Sequence, residues 1–196
     1  MKKVCLVFIL TILVNYLFAQ SVATINGLPV NSKEFLWVYK KNHAEEAKTN
    51  YKDLAAYLNL YINFKLKVAE ARALGMHLDS AYQNEIAGYE DALKAQNKLS
   101  SKASEYLYIM NEYREGVLMF NISEQKIWNK VQESENEVKG FYDKNASKYE
   151  HKNFEEIRGQ VMSDYQQELE NNWIKDLRTK YTIKINDAEL RKLAKQ

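Results

Sequence analysis

The side chains best equipped for chemistry are three histidines, His43, His77 and His151, the acidic pairs Glu45-Glu46 and Glu155-Glu156, and the run Tyr106, Tyr108, Met110, Tyr113, Met119 and Phe120. A metal site needs several His, Cys or carboxylate ligands at close spacing. None of the three histidines has such neighbours, so no metal-binding residue is assigned. Adjacent residues on a helix diverge by about 100°, so the glutamate pairs read as solvated or capping charges, not as an acid and a base converging on one bond. No G-x-S-x-G, P-loop or dinucleotide fingerprint occurs, and the only cysteine, Cys5, lies at the extreme N-terminus. No catalytic residue and no cofactor is therefore expected. The aromatic and methionine run is different in kind. Tyrosine has an apolar face and a polar edge, and methionine adapts its shape, so both suit a surface that holds many unfolded segments weakly. Each of the six taken alone also fits the core of a helical domain. Together they form the candidate client-binding face.

The elements that would carry this face begin after an export signal. Lys2 and Lys3 precede an apolar run from Val4 to Val14, and Ala19 is the small residue before the expected cut, the layout of a secretory signal peptide too short for a membrane span. The mature chain, residues 20–196, has no cysteine and forms no disulfide in an oxidising compartment. Removing Lys2 and Lys3 leaves 26 basic residues against 26 acidic ones, and no basic run with interleaved aromatics points to nucleic acid. One proline, six glycines and abundant Ala, Leu, Glu, Lys and Gln predict a mainly α fold with one sizeable core.

Asn26-Gly27 between two short β-prone pieces predicts a hairpin. A hairpin alone is marginal, and Thr182-Ile183-Lys184-Ile185 is the best third strand, so a small antiparallel sheet joins the two ends of the mature chain. Side-chain caps predict helix starts at Asn31, Asn50, Asp79, Ser104, Ser134 and Asn153, with a last helix after Asn186. The apolar rows of the Leu54 to Gly75 helix cover most of its circumference. Only Asn59, Asn63, Lys67 and Glu70 make a narrow polar stripe, so other helices are expected to sheath it. Residues 94–102, KAQNKLSSK, are the one internal linker between an N-terminal part, 20–98, and a C-terminal part, 103–196.

Thr24 to Phe35 resembles the N-terminal strand, turn and helix of SurA-like periplasmic foldases, relatives of parvulin-type peptidyl-prolyl isomerases, and especially their Bacteroidetes members. Tyr57 to Gly75 is similar to the long helix that follows in them, and Glu85 to Tyr89 to the next. Glu112 to Phe120, Lys126 to Lys130, Phe141 to Asn145 and Phe154 to Lys184 resemble the segments after the isomerase modules. In the family one or more parvulin domains, with paired histidines and glycine-rich loops, sit between the two parts; here only the 94–102 join stands there. The resemblance implies a SurA-like helical chaperone core without its isomerase. Its implied function is an exported, periplasmic, ATP-independent holdase or assembly factor for unfolded or partly folded envelope proteins, including outer-membrane proteins. Two alternatives stay open: an adaptor or structural subunit, as a homodimer or with a full-length partner isomerase, and a weak prolyl isomerase.

Overall fold

The computed structural model describes residues 20–43, 49–96 and 103–195. The expected signal peptide, the Glu45-Glu46 pair and residues 97–102 of the expected linker lie outside them. The fold is mainly helical with a small antiparallel sheet, as the composition requires. In chain order the elements are β1 (Ser21–Ile25), β2 (Leu28–Asn31), α1 (Ser32–His43), α2 (Tyr51–Ala73), a 3₁₀ turn (Met76–Leu78), α3 (Ser80–Ala95) and α4 (Ser104–Ser123). There follow a π turn (Glu124–Trp128), α5 (Asn129–Glu133), α6 (Glu135–Lys144), a second 3₁₀ turn (Ala146–Tyr149), α7 (Phe154–Lys180), β3 (Ile183–Ile185) and α8 (Asp187–Leu193). Two compact units result, one of residues up to Leu66 with those from Arg178 onward, the other of Lys67 to Leu177.

In the first unit β1 is the central strand of the order β2-β1-β3, antiparallel to both neighbours. The turn between β1 and β2 has positive φ at Asn26 (49°) and Gly27 (81°), the twist that a two-residue hairpin needs. Asn26 also fastens the third strand: its backbone N–H donates to the Thr182 carbonyl at 2.8 Å, and its Oδ1 accepts from the Thr182 N–H at 2.8 Å. The strand expected from Thr182 to Ile185 thus pairs with β1, setting Ile25 opposite Ile183 and Ala23 opposite Ile185. Pro29 sits on the outer strand β2, where its missing N–H costs no central ladder bond.

Helix starts follow the polar side chains. Asn31 Oδ1 accepts from the N–H groups of Lys33 and Glu34, Asn50 Oδ1 from Asp53, Asp79 Oδ1 from Ala81 and Tyr82, Asn153 Oδ1 from Glu155, and Asn186 Oδ1 from Glu189. Two expected caps differ. α4 begins at Ser104 with Ala103 as its flanking residue, and Ser134 precedes α6 without a side-chain cap bond; there the Ser134 carbonyl accepts from Glu137 and Val138 instead.

The Leu54 to Gly75 helix is α2, and its apolar rows are buried along most of their length: Leu54, Leu58, Ile62 and Leu66 are all but inaccessible, whereas Tyr57 and Phe64 are half-buried and Ala73, at the end of the row, is exposed. In the first unit the Tyr57 and Tyr61 rings lie 5.8 and 5.6 Å from Phe35 of α1. The narrow polar stripe meets α7. Arg178 Nε donates to Asn63 Oδ1 at 2.9 Å, and Arg178 Nη2 donates to the Asn59 carbonyl at 3.2 Å. In the second unit Lys67 pairs with Glu170 and lies over the Trp173 ring. Within each unit, then, polar residues of the stripe take α7 side chains as partners. Elsewhere in the second unit Val131, Val138, Phe141, Tyr149, Phe154 and Val161 form one apolar cluster joining α5, α6 and α7.

Candidate functional site

The six residues of the aromatic run divide among different surroundings in α4. Tyr106, Met110 and Tyr113 stand at helical spacing on one row and face α3 around Ile86; Tyr106 and Met110 are buried. Tyr113 stacks on Tyr89 with ring centroids 3.6 Å apart. Their hydroxyls reach across to α3 carboxylates, Tyr106 to Glu90 Oε1 at 3.0 Å and Tyr113 to Glu85 Oε1 at 3.1 Å. Burial pushes both hydroxyls above their ordinary range, and the neighbouring carboxylates push them further. These tyrosines therefore clamp two helices. Tyr108 and Met119 are partly buried on other rows, with Met119 Sδ accepting from Ser123 Oγ at 3.6 Å. Phe120 alone of the six is exposed, at 51%.

Phe120 is not isolated. Its ring meets Trp128 edge-on, with centroids 4.8 Å apart. Residues eight apart on an α-helix are turned about 80° from one another, but the π turn admits one extra residue and brings such a pair to within about 20° of one line. The turn covers Glu124 to Trp128, between the two aromatics. It is what makes a contiguous aromatic patch from residues that straight helical geometry would separate. Trp128 was not among the sequence candidates, because the register shift that aligns it with Phe120 leaves no compositional mark.

A second feature lies beside the contact of α3 with α4. An open depression of about 540 Å³ is lined by Arg72, His77, Tyr82, Ile86, Glu90 and Arg114, among others. Asp79, by capping α3, fixes the sharp turn between Arg72 and Tyr82. The Tyr82 hydroxyl donates to the Arg114 carbonyl at 3.2 Å. Burial raises its pKa while the charges of Arg72 and Arg114 pull it back, so both guanidinium groups are felt at that hydroxyl. Arg72 reaches Glu115 Oε1 and Arg114 reaches Glu90 Oε2, each at 3.4 Å. Glu90 is held below its ordinary pKa, chiefly by the Lys94 ammonium, then by Tyr106. Among the three histidines only His77 lines this depression, and Arg72 and Arg114 carry no spacing signal, being brought together only by the helix packing.

Among the described residues no group of three or more His, Cys, Asp or Glu could hold a metal ion, and no helix is long and apolar enough to cross a membrane. Neither the comparison with known protein families, nor that with curated proteins, nor that with solved structures finds a match.

Proposed function

We propose that the protein is an ATP-independent holdase or assembly factor that binds extended or partly folded polypeptides, without isomerase chemistry of its own. The observation that carries this reading is the exposed Phe120 ring set edge-on against the half-buried Trp128 by the π turn. A contiguous aromatic patch on a rigid helix captures apolar client side chains through burial, with no directional chemistry and hence little selectivity. π turns within α-helices occur frequently at functional sites. Export to the periplasm, membership of the SurA-like group and envelope-protein clients are parts of the same proposal; they rest on the residues at the N-terminus and on the motif resemblance. A mainly helical fold whose first and last strands pair is what that resemblance implies. Release needs no nucleotide: clients leave when their own folding buries the segments held.

The test uses residues 20–196 and a urea-denatured outer-membrane protein diluted into buffer. The protein should suppress light scattering at near-stoichiometric ratio, and Phe120→Ala should weaken client binding about fivefold, since covering a half-exposed Phe is worth about 1 kcal/mol. Absence of suppression at every salt concentration tried, or an unchanged Phe120→Ala variant, would refute the reading.

A further inference from the structure

We infer that the depression between α3 and the Arg72 and Arg114 side chains is a binding site for a carboxylate borne on an apolar or aromatic group. Its lining presents two guanidinium groups and one carboxylate, Glu90, beside the apolar surfaces of Tyr82 and Ile86. Glu90 is already served by three donors: Lys94 at 3.0 Å, the Tyr106 hydroxyl at 3.0 Å and Arg114 at 3.4 Å. Arg114 is the longest of these contacts and so the least committed. Among the described residues Arg72 pairs with Glu115 at 3.4 Å, whose side chain is only 7% exposed and is not part of the lining. A guanidinium offers a planar fork of N–H donors, and in both arginines most of that fork has no partner among the described residues while the side chain stays 39 to 48% exposed.

His77 also lines the depression; its Nδ1, which has no hydrogen-bond partner among the described residues, is itself closed to solvent and so is not counted as a ligand contact. The combination of two guanidinium forks and the apolar surfaces of Tyr82 and Ile86 selects an anion with planar oxygens and a greasy body, and it disfavours a bare inorganic ion, which would leave Tyr82 and Ile86 uncovered. Two sources offer that chemistry: the C-terminal carboxylate of a polypeptide ending in an apolar residue, and a free long-chain acid. This site does not depend on the holdase reading, since Phe120 and Trp128 take no part in it.

The experiment is calorimetric titration of residues 20–196 with three probes: an acetylated tripeptide ending in phenylalanine with a free carboxylate, its C-terminal amide, and dodecanoate. The site predicts binding of at least one acid, with the tighter acid identifying the source, and an amide at least about tenfold weaker than the free peptide if the peptide is the tighter ligand. Arg114→Gln should weaken the acid about tenfold while Glu90 keeps Lys94 and Tyr106. Gln83→Glu, at an exposed lining position, adds a competing carboxylate while both arginines are kept, and should weaken it as well. Failure of both acids to bind, equal binding of acid and amide by a peptide that does bind, or unchanged affinity in folded Arg114→Gln and Gln83→Glu would overturn the assignment. Aggregation suppression measured on the same Arg114→Gln protein reports on the holdase reading separately and should be unaltered.

Discussion

Leu60 and Leu66 lie six residues apart on α2, in the same compact unit, and differ in one respect that decides what truncation does: Leu60 is 65% exposed and Leu66 is wholly buried. Replacing each by alanine removes the same atoms from the same helix, so propensity changes cancel in the comparison. At Leu66 the loss comprises the transfer free energy of the side chain and the cavity it leaves. The adjoining Leu58 and Ile62 are also fully buried on a continuous helix that cannot collapse inward, so the cost belongs in the upper half of the range for such sites, about 3 to 5 kcal/mol. At Leu60 the expected change lies within about 0.5 kcal/mol. Urea unfolding followed by far-ultraviolet circular dichroism reads both. With a slope of about 1 to 3 kcal/mol per molar urea, the Leu66→Ala midpoint should fall by at least 1 M, while that of Leu60→Ala stays in place. Leu66→Asn should abolish the cooperative transition, since it buries an amide without partners. A Leu66→Ala loss below about 1 kcal/mol, or equal losses at the two positions, would refute the placement of α2 as the buried rod of its unit.

Gly27→Ala should cost about 1 kcal/mol or more although the added methyl meets nothing within 4 Å, because φ of +81° is strained for any side chain; thermal unfolding of the variant tests it. Tyr149 and Tyr165 are held up to about 12 from an ordinary 10.0, by burial first and then by their bonds to Asp164 and Glu137. The unfolded chain then releases these protons near pH 10 while the fold keeps them to about 12, so their contribution to stability is complete below pH 10 and disappears as pH rises to 12. Denaturation midpoints measured across that window should fall, and Tyr149→Phe with Tyr165→Phe should flatten the fall.

Much of the local architecture was legible because its causes are local. Asn26-Gly27 specifies a turn with two positive φ values, and Asn31, Asn50, Asp79 and Asn153 each bond to backbone N–H groups two or three residues away. Ser134 makes no side-chain cap bond, and its carbonyl accepts from Glu137 and Val138 instead. The candidate client face was only partly legible. Tyrosine and phenylalanine at neighbouring positions look alike in composition, yet Tyr106 packs against Ile86 and Met110 with its hydroxyl satisfied by Glu90, 16 residues away, while Phe120, on another row of α4, remains exposed. Nothing in residues 124–128 announces a π turn.

The sequence by itself determined the class of fold, the hairpin, the strand that closes the sheet, most helix starts and the burial of most of the α2 rows, since each follows from periodicity or from bonds between near neighbours. Only the tertiary structure decided where the polar stripe of α2 docks, which tyrosines serve as clamps, and that Arg72, His77 and Arg114 line one depression. Those outcomes depend on side chains as far apart as Asn63 and Arg178, 115 residues along the chain, which meet only when whole helices have been placed. Packing of large apolar areas sets that placement, and the polar and charged groups then take the partners it leaves within reach.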